Sequence, residues 1–128
     1  MLVELYNLIA AEGIACVFAP LPGGLLGLYD NNGNDTPAIL LDIILLYDHT
    51  LLKCILAHEL GHHFTSAPCR ASTQTTVLVS EPEQEIEADL WAAEKLMPRC
   101  RLEEAISNGI FSPHSLAIHF DVSERFKD

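Results

Sequence analysis

Basic side chains are scarce in this sequence: seven Lys and Arg stand against eighteen Asp and Glu among 128 residues, a net charge of −11 and a pI near 4.7. A nucleic-acid binder needs cations that neutralise phosphates and release counterions, so direct DNA or RNA binding is not expected. Long apolar runs are also missing. The longest, Ala38 to Tyr47, is interrupted by Asp42, well short of the roughly 20 residues that span a bilayer. The opening stretch MLVELYNLIAAEG lacks a basic flank and carries Glu4 and Glu12, which makes it a poor secretory signal. Cysteine is sparse and unpaired in spacing, with Cys16, Cys54, Cys69 and Cys100 forming no CxxC. Idle thiols in a reducing cytoplasm are expected rather than a disulfide framework. No internal repeat, low-complexity tract or long linker is present.

What is there suits one compact unit. Hydrophobic residues make up 49% and charged residues 20%, enough to bury a core, and the length fits a single domain over residues 1–128. Leu2, Leu5, Leu8 and Ile9 recur at helical spacing, and Gly13 closes that helix. Ile14 to Phe18, Leu25 to Tyr29 and Ala38 to Leu41 read as three short strands, separated by the turn-rich stretches Pro20 to Gly24 and Asp30 to Asp35. From about Asp48 the pattern becomes helical. Leu51, Ile55, His58 and His62 fall along one face, with Leu52, Leu56 and Leu60 beside them. The stretch from Thr65 to Ser80 has no period that assigns it. Ser80 and Glu83 have the form of a capping box, with Pro82 in the first turn of a helix running from about Glu81 to Met97. In that helix Ile86, Leu90, Ala93 and Met97 form the expected core stripe. Shorter helices follow over Arg99 to Ser107 and Pro113 to Phe120. The expected architecture is α+β, a small antiparallel three-stranded sheet packed against the long helix, with a mainly helical second half.

The chemistry concentrates in His58-Glu59-Leu60-Gly61-His62, an HExxH motif. Two histidines four apart project from adjacent turns, so both imidazoles can reach one zinc ion at about 2.0–2.1 Å. Glu59 is then placed to act as general base towards a water at an open metal position. A catalytic site needs a further protein ligand. Glu85-Ile86-Glu87-Ala88-Asp89 supplies Glu85 as third ligand, with Asp89 one turn on to accept a hydrogen bond from a ligand imidazole. Glu87 competes as ligand, but helical geometry turns it roughly 160° from Asp89.

HELGHHF followed by EQEIEADLWAAEKLMP resembles the two signature segments of ImmA/IrrE-type metallopeptidases. The flanks Ile14 to Val17, LPGGLLGLYD, AILLD and LAIHFDVS resemble that family's order of elements, so the likeness spans most of the chain. It implies a gluzincin-like site with His58, His62 and Glu85 on zinc and Glu59 as base. It also implies a bacterial or mobile-element protein that cleaves a helix-turn-helix transcriptional repressor. The chain departs from larger relatives in its length, which leaves no expected room for a sensor or DNA-binding domain.

Other residues invite smaller roles. His63 is expected to be a bystander about 100° around the helix from His62. Tyr47, His49, His114 and His119 are candidate donors to an oxyanion, and Cys69 is a candidate fourth ligand that would close the site. The segment Leu116 to Ser123 is too close to the end of the sequence to begin a helix-turn-helix reader. The Ala38–Leu41 strand is a candidate edge for an extended substrate. Against the peptidase stands a second reading, a zinc-stabilised regulator that binds and displaces a repressor without cutting it; a different zinc hydrolase is a third.

Overall fold

The computed structural model describes residues 1–31, 36–65 and 82–123, and within them the α+β architecture is as expected. Helix α1 (Leu2–Ala11) buries Leu5 and Ile9 and leads into strand β1 (Ala15–Ala19). A short 3-10 turn, Pro22–Gly24, precedes β2 (Gly27–Asp30) and then β3 (Ala38–Asp42). A second 3-10 segment, Ile43–Tyr47, which the periodicity did not reveal, joins the sheet to α2 (His49–Thr65). Helices α3 (Pro82–Leu96), α4 (Arg99–Ser107) and α5 (Pro113–Phe120) complete the described fold. The Ser80 half of the expected capping box, Glu81 and Cys69 lie outside the described residues. Among those described, Cys16, Cys54 and Cys100 form no disulfide, and no helix is long and apolar enough to cross a membrane.

The sheet is mixed rather than wholly antiparallel. Its order is β1-β3-β2, with β1 parallel to β3 and β2 antiparallel to it. After β1 the chain turns through Gly23 and Gly24, both at positive φ, where glycine meets no Cβ penalty. That turn carries it past the neighbouring lane to the far edge, and β3 then fills the gap. Asp42 fixes the arrangement by accepting from Leu21 N at 2.8 Å and Ile44 N at 3.0 Å. Ala38–Leu41 is therefore the central strand, not an edge, because both of its sides are already paired. Among the described residues the outer strands are β1 and β2.

Strand β3 shows the alternation of a half-covered sheet, Ile39 and Leu41 fully buried and their neighbours less so. Helix α2 lies beneath it and is buried at every position from Leu52 to His62. A helix covered all round sits inside the core, so the stripe read from its sequence understates how much of it is enclosed. The buried face of α3 also differs from the expected stripe. Ile86 and Leu90 are 59% and 65% exposed, while Ala88 and Ala92 are fully buried and Leu96 nearly so. Small side chains face α2 because the two backbones approach too closely for large ones.

Candidate metal centre

Four polar side chains lie within that enclosed helix: Lys53 near its start, and His58, Glu59 and His62, which are only 7%, 6% and 8% exposed. Burying polar groups costs free energy unless each finds a partner. Helix α3 provides the partners for the histidines. Its Glu85 carboxylate spans both imidazoles, Oε1 lying 3.0 Å from His58 Nε2 and Oε2 lying 3.1 Å from His62 Nε2. Asp89, one turn on, lies 2.7 Å from His58 Nδ1. Both ring nitrogens of His58 face carboxylates; with Nδ1–H donating to Asp89, a neutral ring would turn its Nε2 lone pair towards Glu85, an arrangement that suits an ion shared between them.

The separations can be tested against a metal. Ligands at about 2.05 Å from a tetrahedral zinc stand about 3.3 Å from one another, and the observed 3.0 and 3.1 Å are close to that. His58, His62 and Glu85 could hold a metal ion, their ligand atoms all lying within 4.8 Å of one another. The two rings meet edge to face, 4.8 Å between centroids. Burial holds His62 below the ordinary histidine range, against the opposing pull of Glu85. A ring kept neutral is a ring ready to donate to a metal. Glu85 and Asp89 side chains are 44% and 40% exposed, so the cluster is closed on the α2 side and open on the other.

Two glycines that the sequence reading passed over shape this centre. In α2, Gly61 sits against α3 so closely that an added Cβ would lie 2.5 Å from Ala88 O. In β2, an added Cβ at Gly27 would lie 2.8 Å from Ile55 Cγ2 and 2.9 Å from Glu59 Oε2. The Glu59 carboxylate therefore rests against the backbone of an edge strand. An isolated glycine inside a strand often signals such close backbone approach, and Gly27 carried that signal.

The other candidates fall elsewhere. Glu87 is exposed. His63 turns away from the cluster: its Nδ1 lies 2.6 Å from Tyr29 Oη and its Nε2 lies 2.9 Å from Glu12 Oε1. Burial raises the Tyr29 pKa, keeping its hydroxyl protonated. His49 opens α2, nine residues before His58, which is roughly 13 Å along the axis. Tyr47 just before it is 88% exposed. His114 and His119 are exposed on α5. That helix docks by its C-terminal end at the start of α2, where Lys53 Nζ donates to Phe120 O and pairs with Asp121, both at 3.3 Å.

A peptidase family described as the IrrE N-terminal-like domain has a model that matches residues 13–127. No curated protein gives a significant match.

Proposed function

The chain belongs to the IrrE N-terminal-like domain family of peptidases, and from that premise we propose that it is a zinc-dependent metalloendopeptidase. The convergence of His58, His62 and Glu85 from two helices carries this reading. In it these three hold the ion, Asp89 braces His58, and Glu59 is the base. Two imidazoles and a carboxylate suit zinc. Bound there, zinc lowers the pKa of a water and polarises a peptide carbonyl.

The chain's own residues do the rest. Glu59, enclosed between α2 and β2, takes the proton from the attacking water and returns it to the leaving amine. Asp89 keeps the His58 proton on Nδ1, so that Nε2 presents its lone pair. An extended substrate adds to the outer edge of β2, the strand nearest Glu59, by main-chain hydrogen bonds. We take the substrate to be a helix-turn-helix repressor in the cytoplasm of a bacterium or mobile element, as the family resemblance implies. The acidic surface favours a protein partner over nucleic acid.

The test is Glu59→Gln in the zinc-loaded protein, offered a repressor-like protein encoded beside it. Wild type should cut it, and the variant should bind zinc but cut 10²–10⁴-fold more slowly, the range of one general base. Undiminished biological activity in the variant would instead favour the second reading, a regulator that displaces a repressor without cleavage.

A further inference from the structure

Strand β2 has little in the sheet to hold it. It is four residues long, pairs among the described residues on one side only, and each residue is half-buried. Short pairings of this kind are marginal without support from another element. Yet its Gly27 must lie within contact of the Glu59 carboxylate, so its height over α2 matters to whatever Glu59 does.

The support is a chain of three side chains. Tyr29 follows Gly27 by two residues and so shares its face of the strand. Its hydroxyl meets His63 Nδ1 at 2.6 Å, and His63 Nε2 meets Glu12 Oε1 at 2.9 Å, just past the end of α1. The Tyr29 and His63 rings also pack edge to face at 5.6 Å. Glu12 can only accept, so Nε2–H donates to it, and a neutral ring then accepts the Tyr29 hydroxyl at Nδ1. The spacing is coherent. Two strand residues advance about 6.6 Å and four helical residues about 6 Å. Gly27 on Glu59 and Tyr29 on His63 are thus successive rungs between one strand and one helix.

We propose that Glu12, His63 and Tyr29 are positioning residues, a strap that ties β2 to α2 and α1 and so sets the edge strand against Glu59. None of the three is a proposed metal ligand, and none of their side chains acts on the reacting atoms in the proposed mechanism. The catalytic consequence rests on the peptidase reading; the strap itself does not.

Tyr29→Phe removes one oxygen and keeps the ring, so the fold should survive it. In the zinc-loaded protein, amide hydrogen exchange in β2 should quicken about tenfold, with α2 and α3 unchanged, as loss of the hydroxyl's bonds to His63 and Asn31 at an outer strand allows. Zinc content should stay at the wild-type value. With unfolded casein as substrate, kcat should fall several-fold while zinc affinity holds. His63→Gln, which keeps one acceptor and one donor, should lose less than His63→Leu. Unchanged β2 exchange in Tyr29→Phe overturns the strap, as does an equal loss in the two His63 variants. If zinc-loaded wild type leaves both casein and the repressor-like protein of the Glu59→Gln test intact, the peptidase reading falls, and the exchange comparison still decides the strap.

Discussion

Gly61 of α2 lies directly on the backbone of Ala88 of α3, so close that a methyl group there would stand 2.5 Å from Ala88 O and 2.9 Å from its Cα. Glu85 and Asp89 flank Ala88 in α3, and His58 and His62 flank Gly61 in α2. The contact between these two residues therefore sets the distance at which carboxylates and imidazoles meet.

Gly61→Ala follows from this as a decisive variant. Alanine favours an isolated helix by about 1 kcal/mol over glycine. Forcing a methyl into a closed helix contact costs about 1–3 kcal/mol, and the backbone atoms it meets cannot swing aside. Net destabilisation should result, with α3 displaced and zinc affinity reduced together. Thermal unfolding and chelator competition measure the two effects. A variant more stable than wild type with full zinc affinity would refute the close packing.

Asp89 should matter through His58 rather than through direct metal contact. Its carboxylate accepts from Nδ1 at 2.7 Å, holding the tautomer that presents Nε2. Loss of such an outer partner weakens metal binding by about 10–100-fold. Asp89→Ala should show that loss in a competition assay, whereas Glu85→Ala, which removes a proposed ligand, should cost more. Equal affinity for Asp89→Ala and wild type would count against the bracing role.

The sequence made the elements of chemistry readable because their spacing is local. His58 and His62 share a helix face by arithmetic, as do Glu85 and Asp89, and the structure brings the two pairs together. What was not readable depended on long-range approach. The expected α3 stripe ranked Ile86 and Leu90 as core because they are large and apolar, yet the tight crossing at Gly61 selects Ala88 and Ala92. The parallel pairing was not legible for a similar reason: three short strands suggested an antiparallel sheet, whereas the glycine turn after β1 leaves a lane that β3 fills in parallel. Tyr29, His63 and Glu12 lie 34 and 51 residues apart in their pairings, and no local period announces such a contact.

Asp42 gives a pH-dependent prediction away from the metal. Backbone N–H groups of Leu21, then Ile44, hold its carboxyl below the ordinary value of 3.8. A carboxyl depressed on folding stabilises the native state above its unfolded pKa, and that contribution is lost as pH falls through the lower folded value. Asp42→Asn should therefore melt below wild type at pH 7. The difference should hold down to about pH 4, near the unfolded aspartate value, and shrink in stronger acid. Zinc release in acid affects both proteins, so the difference in melting temperature isolates Asp42. A gap that stays constant to pH 2 would contradict the assignment.

Gly27→Ala separates the proposed base, Glu59, from the proposed metal ligands. The new methyl would meet Ile55 Cγ2 at 2.8 Å and Glu59 Oε2 at 2.9 Å. The carboxylate is the movable neighbour, since both are buried but the β-branch of Ile55 leaves it few rotamers. Glu59 should swing from its place or β2 should lift, and neither displacement reaches His58, His62 or Glu85 directly. Misplacing a catalytic group by about 1 Å can cost on the order of 10²-fold in rate. Zinc stoichiometry should thus match wild type while peptide cleavage falls by at least about tenfold. Gly27→Ala combined with Glu59→Gln should be hardly slower than Glu59→Gln alone, because the collision acts through a base that is already disabled. Full additivity in that double variant would place the effect of Gly27 on substrate binding along the strand edge instead.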